Sequence, residues 1–279
     1  MGFSPPHTVS RLRAWIGLLL LCLSWHAQPA LPNPFPHIAS AYLVEVNGTP
    51  LWAKDPQRAL HPASLTKLMT ALLVLEDDDL GAVVPISRQA ARITGSRLEL
   101  QAGERFHAHD LLAATLIASA NDACFALAEY SAGNARAFVR RMNQRAGAIG
   151  LQHTHFVNPC GHDAPNHFSS ADDLAHLARF VLRHPLAVTL AMQQNVLLRP
   201  VNGLRSYQKN STNALLGRVP GVLGLKTGRT VHAGNCLIAV AHRGDVQVLL
   251  VLLKAKDRWW DAADLIELAF AHARHPIAP

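Results

Sequence analysis

Apolar and polar positions alternate in two regimes along this chain. From Ile38 to Trp52 a strand-like run, Ile-Ala-Ser-Ala-Tyr-Leu-Val-Glu-Val, meets Asn47-Gly48 and resumes as Thr-Pro-Leu-Trp. Asn-Gly between apolar runs is a strong signal for a two-residue hairpin. Near the other end, Asn235–Ala241 and Val246–Leu253 flank Arg243-Gly244-Asp245 and predict a second hairpin. Between them the period changes to that of helices. Ala63–Leu75 is apolar enough for a buried helix, and the acidic run Glu76–Asp79 reads as its solvated end. Asp110–Ile117 and Asn121–Tyr130 predict two more helices. Ala135–Ala148 places Phe138, Met142 and Ala146 at four-residue spacing, with Arg136, Arg140 and Arg141 elsewhere, as an amphipathic helix does. Ser170–Arg183 opens with a capping serine and two acids, then carries the stripe Leu174, Leu177, Val181. A last helix spans about Trp260–Ala273. Strands at both ends with helices between them predict an α+β fold, one antiparallel sheet assembled from the two termini with a helical lobe inserted.

The first thirty residues stand apart. Arg11 and Arg13 precede the apolar run Ala14–Trp25, and small residues and prolines follow, which is the pattern of a secretory signal peptide. The run is shorter than the ~20 residues that a spanning helix needs. Residues 31–279 are read as a single domain. Composition adds limits: 49% hydrophobic and 16% charged residues fit a globular chain and exclude a disordered one. Setting aside residues 1–30 removes two arginines and no acid, which takes the formal charge from +7 to +5. The basic residues are scattered, with no run that would track a phosphate backbone, so nucleic acid is not an expected partner. Cys124, Cys160 and Cys236 are too few for a disulfide framework and are read as buried free thiols, with one pair among them left open.

Three short motifs carry candidate chemistry. Ser64-Leu65-Thr66-Lys67 follows Pro62, a residue suited to a helix start. At i and i+3 the lysine amine reaches the serine hydroxyl, and a lysine that loses its proton through burial and nearby positive charge serves as its base. Ser119-Ala120-Asn121 lies at a junction of two helices, where serine relays protons and asparagine both accepts from and donates to an amide. Lys226-Thr227-Gly228 precedes a predicted strand. Lysine and threonine suit a carboxylate, and glycine leaves room for a substrate along the strand edge.

The order Ser-x-x-Lys, Ser-x-Asn, Lys-Thr-Gly is that of penicillin-binding proteins and serine β-lactamases. The surrounding segments Pro62–Thr70, Ser119–Cys124 and Leu225–Thr230, with Met142-Asn143, Gly150-Leu151 and Phe156–Leu174, resemble the low-molecular-weight D-alanyl-D-alanine carboxypeptidase family of serine peptidases. The resemblance covers about Ile38–Phe270. It implies a β-lactamase/transpeptidase-like fold, with neither the extra C-terminal β domain nor the membrane anchor of longer members, and a secreted enzyme of the periplasm or cell envelope. It implies that Ser64 attacks the penultimate D-alanine of a peptidoglycan stem peptide and that Lys67 is the base. Ser119 relays the proton beside Lys226, Asn121 orients the peptide, and Lys226 with Thr227 binds the terminal carboxylate. Backbone N–H groups of Ser64 and Arg229 form the oxyanion hole, and β-lactams acylate the same serine. No metal or cofactor is implied. Leu223, Thr212, Arg229 and His162 stand where the family usually carries aspartate, a basic residue, histidine and an apolar residue.

Three other activities compete. A β-lactamase of the commonest class needs a glutamate between the second and third motifs, and the one glutamate there, Glu129, comes too early. A zinc peptidase would draw on His107 and His109 or His153 and His155, which lack the required spacing. Cleavage of D,D-crosslinks between stem peptides, an endopeptidase activity, uses the same motifs and stays open beside the carboxypeptidase reading.

Overall fold

Five antiparallel strands form the central sheet in the order β2-β1-β9-β8-β7, where β1 is Ala39–Val46, β2 Thr49–Lys54, β7 Val222–Thr230, β8 Gly234–Arg243 and β9 Val246–Ala255. The computed structural model describes residues 1–2, 33 and 35–274. The predicted signal segment therefore lies outside the described residues, apart from its first two. Both predicted hairpins form: Val46 pairs with Thr49 across Asn47-Gly48, and Arg243 pairs with Val246 across Gly244-Asp245. The sheet joins the chain's two ends, since Ala41 of β1 lies opposite Leu253 of β9.

Both faces of these strands are apolar, for a reason visible in the alternation. Leu249, Val251 and Leu253 of β9 pack into the larger core with Leu43 and Ile238. The intervening Val248, Leu250 and Leu252 pack into a second core with Tyr42 and Val44. Helix α8 (Trp260–Arg274) covers that second face through Ala262, Leu265, Ile266, Ala269 and Phe270. Each such Leu or Ile contributes roughly 1.5–3 kcal/mol when fully buried.

The larger core fills the helical lobe. Its centre is α1 (Lys67–Asp77), in which Leu68, Met69, Ala71, Leu72 and Val74 are wholly enclosed. Around it lie α3 (Ala108–Ile117), α4 (Asn121–Ala132), α5 (Ala135–Ala148) and α6 (Ala171–Val181). Asn134 caps α5 by accepting from Ala137 N, and Ser170 caps α6 by accepting from Asp173 N. The acidic end of α1 is not merely solvated: Glu76 and Asp77 pair with Arg145 and Arg141 of α5 at 2.6 and 2.7 Å. Glu45 of β1, 4% exposed, accepts two 2.7 Å bonds from Arg179 of α6, which fastens the lobe to the sheet.

Seven elements go beyond the sequence reading, β7 among them. Helix α2 (Arg88–Arg92) and helix α7 (Pro185–Ala191) are one or two turns long. β3 (Val83–Pro85) pairs with β4 (Arg105–His107), and β5 (Asn195–Leu198) with β6 (Tyr207–Asn210). Two expectations are corrected. Lys226-Thr227-Gly228 lies within β7 and not ahead of a strand. Cys124 and Cys160 are not free thiols but form a disulfide with Cα atoms 6.0 Å apart. Cys236 is free and buried, and burial pushes its thiol up to about 11, so it is an inert packing residue.

Candidate active site

Ser64 sits on a 3-10 turn, Ala63–Thr66, which runs directly into α1 at Lys67. In such a turn residues i and i+3 eclipse, which suits a serine–lysine pair better than the wider α spacing. Lys67 Nζ lies 3.0 Å from Ser64 Oγ. The turn is clamped from both sides. Thr66 Oγ1 donates to Ala63 O at 2.8 Å, while Ala63 itself holds a left-handed φ of 49°. Conformations of that kind cost roughly 1–3 kcal/mol and persist only where neighbours impose them. Gly161, at φ 86°, is one such neighbour: a Cβ placed there would fall 1.9 Å from Ala63 O. Gly228 of β7 is the other, since its Cβ would come within 3.0 Å of Ser64 N. The third motif's glycine thus lets the edge strand lie against the backbone of Ser64.

Lys67 is fully buried and has three partners. Besides Ser64 Oγ, its Nζ meets Asn121 Oδ1 at 2.7 Å and Cys160 O at 2.6 Å. The orientation of the Asn121 amide follows from its other side, where Nδ2 donates to Thr94 O at 2.6 Å. Both Asn121 Oδ1 and Cys160 O therefore accept and cannot donate. Burial, reinforced by the positive charge of Lys226 and opposed by Asp122, holds the Lys67 amine well below the usual lysine range. A neutral amine has two N–H groups and one lone pair. Its hydrogens satisfy the two carbonyl oxygens, which leaves the lone pair for the Ser64 hydroxyl proton.

The second and third motifs meet beside it. Ser119, at φ 57° between α3 and α4, accepts from Lys226 Nζ at 2.9 Å, and the same amine donates to Thr227 O at 2.9 Å. Burial, and after it the charge of Arg258, lowers Lys226 to about 7. Thr227 Oγ1 lies 2.6 Å from Thr212 Oγ1. Arg229 follows on β7 with its side chain exposed. Glu129 falls eight residues beyond Asn121 on α4, about 12 Å along the helix axis, too far to serve a water at Ser64. Among the described residues no group of three histidine, cysteine or acidic side chains could hold a metal ion.

Three participants were not singled out in the sequence, and a fourth, Cys124, was read there as a free thiol. Asp122, fully buried, accepts from Leu98 N, Leu100 N and Ala123 N at 3.0–3.1 Å, so its charge pins the segment behind Asn121. Asn158 Oδ1 accepts from Gly161 N and His162 N at 2.7 and 3.0 Å, shaping the loop whose Cys160 carbonyl holds Lys67. Arg258 donates to Gly228 O at 2.5 Å. Cys124, one turn along α4 from Asn121, ties that helix to the Cys160 loop. Carbonyls and loop turns leave no side-chain signature, and the family-like segment Phe156–Leu174 was their one visible trace.

A buried lysine bonded to a serine at the seam between an edge strand and a helical lobe is the arrangement of the penicillin-binding class of proteins. The ampicillin-bound penicillin-binding protein D2 from Listeria monocytogenes superposes with a TM-score of 0.75 at 31% identity, over 86% of this chain and 100% of that one. Within this class the chain belongs to the D-alanyl-D-alanine carboxypeptidase family, whose profile matches residues 32–257. It is 36% identical over 248 residues to D-alanyl-D-alanine carboxypeptidase DacF of Bacillus subtilis, a match that takes in 85% of this chain. The chain spans 64% of that enzyme's length. A D-alanyl-D-alanine endopeptidase of Pseudomonas aeruginosa is 30% identical, over 82% of this chain and 75% of its own.

Proposed function

We propose that this protein is a serine-type D-alanyl-D-alanine carboxypeptidase that trims peptidoglycan stem peptides through an acyl-enzyme on Ser64. The observation that carries the reading is the partner set of Lys67, two obligate acceptors and the Ser64 hydroxyl within 3.0 Å. Ser64 Oγ attacks the carbonyl of the penultimate D-alanine as Lys67 takes its proton. Ser119, beside the Lys226 cation, passes a proton to the leaving nitrogen. Lys226 and Thr227 receive the terminal carboxylate, with the Thr212 hydroxyl next to them, and Asn121 orients the peptide amide. The N–H groups of Ser64 and Arg229 stabilise the tetrahedral oxyanion, a contribution of ~3 kcal/mol per donor in comparable sites. Gly228 keeps the strand edge open, and water then releases the shortened peptide. β-Lactams acylate the same serine.

The first thirty residues direct export, and residues 31–279 act as one catalytic domain in the periplasm or cell envelope. Cleavage of D,D-crosslinks is the second reading, favoured by the name of the Pseudomonas relative, and it differs in the leaving amine alone. The test is acylation of the purified protein by a fluorescent penicillin, with D-alanine release from a pentapeptide. Both are expected for the wild-type chain and neither for Ser64→Ala. Equal labelling of Ser64→Ala overturns the assignment.

A further inference from the structure

Thr212 serves two places at once. Its hydroxyl lies 2.6 Å from that of Thr227, and the residue also lines a cavity of about 450 Å³. The ribbon of β5 and β6 supplies the far wall through Asn195 and Asn210, joined by Gln194, Asn213 and Arg218. Backbone bonds hold the near wall: Ser211 N donates to Gln194 O at 2.7 Å, and Thr212 N to Ile117 O at 3.2 Å.

The lining is mostly amide, hydroxyl and guanidinium, with Ala214 and Leu216 as its apolar members, and among its described residues there is no carboxylate. Asn213 is 9% exposed and its Oδ1 accepts from Leu215 N, yet its buried Nδ2 has no partner. Orphaned buried donors are rare in folded proteins and ask for an acceptor. Arg218, exposed, forms no ion pair among the described residues. One unmet buried donor in a wall of amides, beside a cation with no ion-pair partner among the described residues, suits a ligand rich in carbonyl oxygens and carrying a carboxylate.

We infer that this cavity is the subsite for the leaving strand, and that it takes the second peptide of a D,D-crosslink. The inference rests on the acyl-transfer reading above. There the substrate carboxylate beside Thr227 belongs to the residue that departs, so that residue's side chain extends from the Thr227–Thr212 pair. A terminal D-alanine presents a methyl group and leaves the cavity to water. A crosslinking diamino acid presents a long chain that ends in peptide carbonyls and a carboxylate, the groups the wall can bind. The chemical step is common to both substrates. Ser64 Oγ forms a bond to the acyl carbon, the carbon–nitrogen bond to the leaving residue breaks, and the serine proton ends on that nitrogen. Water then cleaves the ester and restores the serine. Occupancy of the cavity therefore changes substrate choice and not the acylation machinery.

The test compares wild type with Arg218→Ala and Asn195→Leu, two exposed positions outside the Ser64 cluster. Three readouts are taken: fluorescent penicillin acylation, D-alanine release from a monomeric pentapeptide, and hydrolysis of a purified D,D-crosslinked muropeptide dimer. The expected result is a loss of about tenfold in kcat/KM on the dimer, mostly through KM, with the other two readouts changed by less than about twofold. No loss on the dimer, or an equal loss on both peptides, overturns the subsite. A wild-type protein that releases D-alanine but leaves the dimer whole also overturns it while sparing the acyl-transfer reading. One inert toward penicillin and both peptides removes that reading and the subsite with it.

Discussion

The carbonyl oxygen of Cys160 accepts a hydrogen bond from Lys67 Nζ at 2.6 Å, so one end of the disulfide is also a wall of the lysine's cage. The contact is made by backbone and the crosslink by side chain, which separates their consequences. With the cysteines 36 positions apart, the crosslink stabilises the fold by about 3–4 kcal/mol on a chain-entropy basis. Cys160→Ala is expected to lose that stability in urea unfolding while keeping penicillin acylation under native conditions. A variant of undiminished stability that no longer acylates would contradict this division.

In the proposed mechanism two lysines set opposite limbs of the pH profile. Lys67 acts as a neutral amine, so acylation rises with pH through its ionisation, at a midpoint well below the ordinary 10.5. Lys226 acts as a cation and is lowered to about 7, so binding of an anionic substrate weakens above that pH. A bell-shaped dependence of kcat/KM is expected, with apparent values that belong to the coupled pair. Lys226→Arg keeps its charge and is expected to lose the alkaline limb in a pH series of D-alanine release.

His167 makes acid destabilising. Its Nδ1 accepts from Val157 N at 2.9 Å, which places the proton on Nε2, 2.9 Å from Thr66 Oγ1. Burial, with neighbouring histidines adding to it, lowers the group from 6.5 to about 4. The unfolded chain thus binds this proton first as pH falls, and stability is full above about 6.5 and lost toward about 4. The shift corresponds to roughly 3 kcal/mol. Urea unfolding between pH 7 and 4 is expected to show that loss, and His167→Gln to flatten it.

Legibility followed the range of the signal. The two hairpins, and helices such as Ala135–Ala148, announce themselves through local periodicity, and they form where the pattern puts them. β7 was harder to read, because Gly224 and Gly228 interrupt its alternation and Lys226 lies in it as a buried charge. Its strand conformation comes from pairing with β8 across the turn 231–233, which outweighs the weak strand preference of its own residues. The three motifs named Ser64, Lys67, Ser119, Asn121 and Lys226, and the structure brings those side chains within hydrogen-bonding reach in two linked groups. What stayed hidden was the cage: the Cys160 carbonyl, the Asp122 anchor and the Gly161 approach to Ala63 are properties of backbone brought together across the fold. The disulfide was hidden for the same reason, since spacing alone does not say which thiols meet.

The order of the sheet has a consequence in time. β1 lies between β2 and β9, so the first strand of the domain must wait for the last before its inner edge is covered. Some two hundred residues separate the partners, and closing such a loop comes late in folding. While the chain is being made, β1 and β2 have no scaffold, and the edge strand that lies against Ser64 has no β8 and β9 to hold it. The turn that carries Ser64 therefore gains its full sheet support only once synthesis has passed Ala255.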